Sequence, residues 1–220
     1  DAFGNLAPVS AETRFSPVTN SGSIGAQEVV FTPSVVIIPA GNSAATFTYM
    51  DVLAGTHRVT ANLTQGNAVG SPYHEIQVLP GPVARFALNG PGSMDAGTRA
   101  QFDIVRYDQF GNLVNAGNNR VYLYTGSTGE NKGFYTQSSG GSPVAFVDIT
   151  IGNNMASMWY EDTRAGTFML TASDSPTAPD GLTGIEDGTR ELTVRHAQHA
   201  SFHIEASAGG PIGMQTAGVP

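Results

Sequence analysis

Asp108-Gln109-Phe110-Gly111-Asn112-Leu113 repeats the spelling of Asp1-Ala2-Phe3-Gly4-Asn5-Leu6, 107 positions earlier. A turn of the form Asp-x-Phe-Gly-Asn-Leu that occurs twice marks a chain built from repeats, and later landmarks recur in the same order. Tyr49-Met50-Asp51-Val52-Leu53-Ala54-Gly55-Thr56 matches Tyr160-Glu161-Asp162-Thr163-Arg164-Ala165-Gly166-Thr167, and Ala84-Arg85-Phe86-Ala87-Leu88 matches Ala200-Ser201-Phe202-His203-Ile204. The offset drifts from 107 to 116 between the first and last of these landmarks. Insertions in surface loops produce such drift, because loops tolerate changes of length that strands do not. The repeat predicts two units of roughly 110 residues, a size at which one core becomes self-sufficient.

Composition points the same way. Charged residues are only 13% of the chain, with 27 Gly and 13 Pro, a balance suited to many short strands joined by turns. Period-2 alternation is clearest in Ala45, Phe47 and Tyr49 against Ala44, Thr46 and Thr48, with Ala156, Met158 and Tyr160 as the repeat partners. His57, Val59 and Ala61 alternate in the same way, as do Phe168, Leu170 and Ala172. Further strands are predicted at 35–38, 74–79, 83–88, 100–107, 120–125, 144–151 and 191–195. No capped i, i+3, i+4, i+7 stripe is present, so very little helix is expected. The predicted cores hold Phe47, Tyr49, Val59 and Ala61 in the first unit, and Phe102, Ile104, Met158, Tyr160, Phe168 and Leu170 in the second.

In the repeated turn, Gly4 and Gly111 are expected at positive φ, and the Asp side chain is placed to bond the backbone two residues on. Pro80-Gly81-Pro82 is short and stiff and reads as the joint between units, with Arg195-His196-Ala197-Gln198 at the corresponding second joint.

The net charge of −8 argues against nucleic acid or an anionic membrane as partner. Nor does any apolar run reach the length of a membrane-spanning helix, so no membrane insertion is expected. The absence of cysteine excludes disulfides, thiolate metal sites and cysteine nucleophiles. There is no Gly-x-Ser-x-Gly elbow and no converging acid, base and nucleophile, so no catalytic residue is assigned and no enzyme activity is expected. Oxygen-bearing side chains gather in the loop from Asp174 through Asp180, Glu186, Asp187 and Glu191, and again at Glu161 and Asp162. Near a joint such groups suit Ca²⁺, so Glu161, Asp162, Asp180, Glu186 and Asp187 are its candidate ligands and no other cofactor is expected. His196, His199 and His203 do not share one strand face, which disfavours a single zinc ion held by all three. Trp159 alternates away from Met158 and Tyr160. With Tyr122 and Tyr124 it forms a candidate contact surface for a glycan, a surface protein or a neighbouring subunit.

On these landmarks the chain resembles the bacterial immunoglobulin-like repeats of invasin- and intimin-type adhesins and of giant cell-surface repeat proteins. The matching residues are Ala96-Gly97-Thr98, Asp108 to Val114, Tyr160-Glu161-Asp162-Thr163, Ala165-Gly166-Thr167 and Leu170-Thr171-Ala172. The resemblance implies an all-β fold of tandem immunoglobulin-like sandwiches, extracellular and at the cell surface, with no catalytic residues to carry over. In that family the Asp-x-Phe-Gly-Asn turn follows the second strand of a unit. Residues 1–80 are therefore expected to form a sandwich lacking its first two strands, residues 81–195 a complete one, and residues 196–220 the first strand of a following unit. In that orphan strand Phe202 and Ile204 would be the assembly residues. The expected role is a structural segment of a surface stalk or filament, partnered by further copies of the same repeat within one polypeptide or assembled head to tail by strand complementation. The alternatives are an adhesin module that binds a glycan or host protein, and accessory domains of an extracellular hydrolase.

Overall fold

The computed structural model describes residues 5–22, 29–66 and 72–198. Fifteen strands and no helix make up the regular structure of these residues. The first unit contains β1 (Thr13–Thr19), β2 (Val29–Thr32), β3 (Val36–Ile38), β4 (Thr48–Asp51), β5 (Gly55–Gln65) and β6 (Tyr73–Val78). The second contains β7 (Arg85–Asn89), β8 (Ser93–Asp95), β9 (Arg99–Tyr107), β10 (Asn119–Thr125), β11 (Gly133–Tyr135), β12 (Phe146–Ile149), β13 (Met155–Glu161), β14 (Gly166–Ser173) and β15 (Gly188–Arg195).

In the second unit two sheets, ordered β11-β13-β9-β7 and β12-β10-β14-β15-β8, face each other. Every pairing is antiparallel except β8 with β15, so the start of the unit contributes a strand to each sheet, an immunoglobulin-like arrangement. Inward alternation on both sheets builds the core from Phe86, Leu88, Phe102, Ile104, Val121, Leu123, Ile149, Met158, Tyr160, Leu170, Ala172, Leu192 and Val194.

The first unit repeats the pairing order of β10 to β15. Its sheets run β3-β1-β5-β6 and β2-β4, against β12-β10-β14-β15 and β11-β13 in the second unit. Nothing among the described residues corresponds to β7, β8 or β9 there. The consequence is visible in burial: Tyr160 and Met158 are fully buried on β13 with β9 paired alongside, whereas the matching Tyr49 and Phe47 are only half-buried. Phe47 instead bridges the two sheets by packing edge-on against Phe15, at 6.3 Å between ring centroids.

The structure adjusts several of the expectations above. Residues 44–47 precede β4 rather than forming part of it. The strand β1, which contains Pro17, is not among the expected strands. Proline is tolerated there because β3 pairs only with Thr13 to Phe15, so that among the described residues one side of β1 has no ladder neighbour at Pro17. Phe168 packs at the edge of the core and is half-buried, while Leu170 two residues on is fully enclosed. Leu170→Ala is therefore expected to destabilise the second unit by about 2–5 kcal/mol. Phe168→Ala should cost less than Leu170→Ala, and urea unfolding of the two variants gives the comparison.

Candidate functional site

The repeated turn sits at the pole of the second unit that faces the first, just beyond the end of β9. Asp108 is fully buried, and its carboxylate accepts hydrogen bonds from four N–H groups. The Phe110 amide (2.9 Å) and Asn112 amide (2.8 Å) donate to Oδ1, while the Asn112 side-chain Nδ2 (2.8 Å) and the Gly81 amide (2.9 Å) donate to Oδ2. The bond to Phe110 is the expected one to the residue two positions on. Gly111 adopts φ 87°, which a residue bearing a Cβ avoids, so the glycine of the motif is required by the turn. Gly4 lies outside the described residues.

The bond from Gly81 extends the motif's reach. One carboxylate closes its own turn and also anchors Pro80-Gly81-Pro82, the linker between the units. Burial alone would raise the Asp108 pKa. The hydrogen bonds from the Asn112 side chain and from the Gly81, Asn112 and Phe110 amides outweigh it and hold the pKa below the usual carboxylate value.

Asn112 carries the contact across the joint. Its Nδ2 donates to the Val52 carbonyl at 2.7 Å, and its Oδ1 accepts from the Ala54 amide at 2.9 Å. The side-chain amide of one unit thus pairs with the backbone of a turn in the other as a strand neighbour would. That receiving turn is shaped by the Tyr-x-Asp of the second landmark. The Tyr49 hydroxyl donates to Asp51 Oδ2, and the Leu53 amide donates to Asp51 Oδ1 at 2.9 Å. Buried beside it, His57 hydrogen-bonds the Leu53 carbonyl through Nε2 at 2.8 Å.

A fully buried guanidinium, absent from the sequence reading, holds the same pole of the second unit. Arg106 donates to the carbonyls of Val114 (2.8 Å), Gly117 (3.1 Å) and Asn153 (2.7 Å) and to Asn119 Oδ1 (2.6 Å). Its partners are neutral oxygens, and burial lowers its pKa. The only signal for it was an arginine on the inward face of a strand, beside Ile104 in the alternation.

The acidic candidates separate into two places. Asp174, Asp180 and Asp187 bring one carboxylate oxygen each to within 4.8 Å of the others, in the loop joining β14 to β15 at the joint-facing pole. The Ile185 amide donates to Asp174 Oδ2 and the Gly181 amide to Asp187 Oδ2, while Oδ1 of both residues is buried without a hydrogen-bond partner. Glu186 does not join this group; its backbone pairs with the start of β7 and its side chain is exposed. Glu161 and Asp162 lie at the opposite pole, because β13 runs away from the joint. Glu161 pairs with Arg99 at 2.7 Å, and Asp162 accepts from the Tyr160 hydroxyl and the Arg164 amide. The expected five-residue set therefore does not converge, and Asp174 takes the place of its missing members.

The aromatic candidates do not form one surface either. Trp159 is half-buried on the outer face of the β11-β13-β9-β7 sheet. Tyr122 and Tyr124 lie on the outer face of the other sheet, where Tyr122 packs edge-on with Phe146 and the Tyr124 hydroxyl donates to the Ser175 carbonyl. Phe202 and Ile204 lie outside the described residues.

No protein-family model matches the chain, and no curated protein matches it. Among solved structures it is similar to domains 4 and 5 of the S-layer protein SbsC, at 16% identity and a TM-score of 0.35, covering 80% of this chain and 81% of that one. It is also similar to the D0-D1 domain of intimin, at 14% identity and a TM-score of 0.33, with 86% and 85% covered. A β-glycosidase from Bacteroides vulgatus aligns at 10% identity and a TM-score of 0.40 over 82% of this chain, which spans only 25% of the length of that enzyme. Likenesses this loose carry no argument about the role of the chain.

Asp108→Ala is expected to destabilise the second unit by about 1–3 kcal/mol, since it strands buried amides. The folded-state pKa of Asp108 lies below the unfolded one, so its contribution is complete above about pH 4 and is lost as pH falls through the lower folded value. Acid titration of stability should accordingly fall less steeply below about pH 4 in Asp108→Asn than in the parent protein.

Proposed function

We propose that this chain is a non-enzymatic structural segment of a prokaryotic extracellular surface array, a stalk or filament whose sandwich units are locked end to end. The observation that carries the reading is the joint. Asp108 holds the linker, and Asn112 makes two hydrogen bonds to the neighbouring unit from a turn whose sequence is itself repeated. A flexible tether between independent binding modules needs no such clasp, whereas a stalk must resist bending at every junction.

The first unit adds the reason for an array. Among the described residues its β2-β4 sheet leaves β4 without a second neighbour, at the position where β13 pairs with β9 in the second unit. Strand complementation fills such an edge. Segment 200–206, which matches β7 in sequence, is the proposed donor of one of the absent strands, with Phe202 and Ile204 as its core side chains. Within the same reading, Ca²⁺ is held by Asp174, Asp180 and Asp187, whose all-oxygen ligands suit a hard cation and would brace the joint-facing loop.

Two variants test the clasp from opposite sides. Asn112→Ala removes its side chain, and Ala54→Pro removes the amide that Asn112 accepts from without touching the Asp108 turn. Small-angle X-ray scattering should show a broadened distribution of distances between the units in each, with the double variant no looser than either alone. Unchanged scattering in both would reject the stiff-array reading. For the ion, millimolar Ca²⁺ should raise the melting temperature of the parent protein and leave that of Asp187→Asn unmoved. An equal response in both proteins would remove calcium from this loop.

A further inference from the structure

We propose that a polar cleft in the second unit, lined by Asn118, Asn119, Arg120, Asp148 and Thr150, binds a neutral saccharide through a pair of adjacent hydroxyls. Phe146 and Tyr122 stand beside it to receive the apolar face of the sugar ring. The cleft has a volume of about 500 Å³, in the range of small-ligand sites, where the start of β10 lies against the end of β12. The inference goes beyond the stiff-array reading and does not rest on it.

Each wall offers a defined donor or acceptor. Asn118 Oδ1 accepts from the Ile151 amide at 2.8 Å and Asn119 Oδ1 accepts from Arg106 at 2.6 Å, which leaves both Nδ2 groups as donors for a ligand. Asn153 Nδ2 donates to Thr150 Oγ1 at 3.1 Å, so the Thr150 hydroxyl proton is a third. Arg120 donates to both oxygens of Asp148, at 2.9 and 3.2 Å, and each carboxylate oxygen can accept again. This ion pair cancels its own charge. A free anion is opposed by Asp148 and a free cation by Arg120, whereas a hydroxyl both donates and accepts and suits the pair. Two hydroxyls on neighbouring carbons span a guanidinium and a carboxylate that lie side by side. Arg120 covers one face of Phe146 at 3.9 Å from the ring centroid, and Tyr122 meets the ring edge-on at 6.0 Å. Phe146 still keeps 38% of its surface exposed. An open aromatic beside hydrogen-bonding groups matches a sugar ring, polar at its rim and apolar on its C–H faces.

Two observations separate this cleft from an incidental surface pair. The first is its floor. Buried Arg106 donates to the Gly117, Thr150 and Asn153 carbonyls and to the Asn119 side chain, so one guanidinium pins both segments whose side chains line the cleft. Groups held in place lose little freedom when a ligand arrives. The second is the contrast between the repeats. Leu123 pairs with Ala172 as Pro17 pairs with the matching Ala61, which sets Arg120 in the place of Arg14 and Tyr122 in that of Ser16. On the neighbouring strand Asp148 takes the place of Ile37 and Phe146 that of Val35. The first unit keeps the arginine but pairs it with Glu12, and has neither carboxylate nor aromatic ring at the other three positions. The shared scaffold therefore does not require Asp148, Tyr122 or Phe146.

The same contrast supplies the test variants. Asp148→Ile and Tyr122→Ser put first-unit residues at the equivalent positions, and thermal melts establish that each variant stays folded. Thr150→Val keeps the shape of the cleft and removes only a hydroxyl, so it serves if either of the others melts below the parent protein. The probe is a printed array of neutral, sialylated and sulfated oligosaccharides, exposed to biotinylated protein clustered on fluorescent streptavidin so that weak single contacts add. The parent protein should hold a subset of the neutral glycans. Asp148→Ile and Tyr122→Ser should each cut that signal by about ten-fold or more, for the loss of a charge-assisted hydrogen bond or of an aromatic face. Thr150→Val should lower it several-fold. No neutral glycan held above the background of streptavidin alone overturns the proposal. Signal that survives all three substitutions overturns the assignment to this cleft, and signal confined to the acidic glycans overturns the neutral ligand in favour of an anion at Arg120.

Discussion

The Asp108 carboxylate is the constraint on which the arrangement of the chain depends. A buried carboxylate without a cation is tolerated only when its oxygens are filled by donors, and here four N–H groups converge on it. Each donor ties down something different. The Phe110 and Asn112 amides set the turn, Gly81 sets where the linker enters the second unit, and the Asn112 side chain is held pointing across the joint. Loss of the carboxylate would free linker and clasp together, so the hold on the linker and the fold of the turn rest on one group. Arg106, two residues earlier, does comparable work for the neighbouring loops at the same pole.

Much of this was legible in the residues. Two occurrences of Asp-x-Phe-Gly-Asn implied repetition, and period-2 alternation around Met158, Tyr160 and Leu170 placed the second core correctly. The positive φ of Gly111 and the bond from the Phe110 amide to Asp108 follow from the chemistry of those residue types. The cross-joint bonds of Asn112 did not, because its partners are the backbone of Val52 and Ala54, and a carbonyl or an amide leaves no mark in a sequence. Arg106 escaped for a related reason, since mostly main-chain oxygens accept from it. Trp159, Tyr122 and Tyr124 were placed by strand parity, which fixes the face of a sheet but not which of two sheets a strand joins. The acidic set failed at its far members because Glu161 and Asp162 end a strand that runs away from the joint, a fact of topology and not of local composition.

The two halves of the repeat also separate local structure from tertiary support. Tyr49 and Tyr160 make the same bond to an aspartate two residues on, and burial followed by that bond raises the pKa of both phenols, keeping the hydroxyls protonated as donors. Yet Tyr160 is shut inside the second sandwich, while Tyr49 is half-buried in a unit where no counterpart of β9 is found among the described residues. The turn that follows closes in the same way in both, at Gly55 and Gly166. The receiving turn is therefore fixed by its own tyrosine, aspartate and glycine and does not wait for the sandwich to be finished.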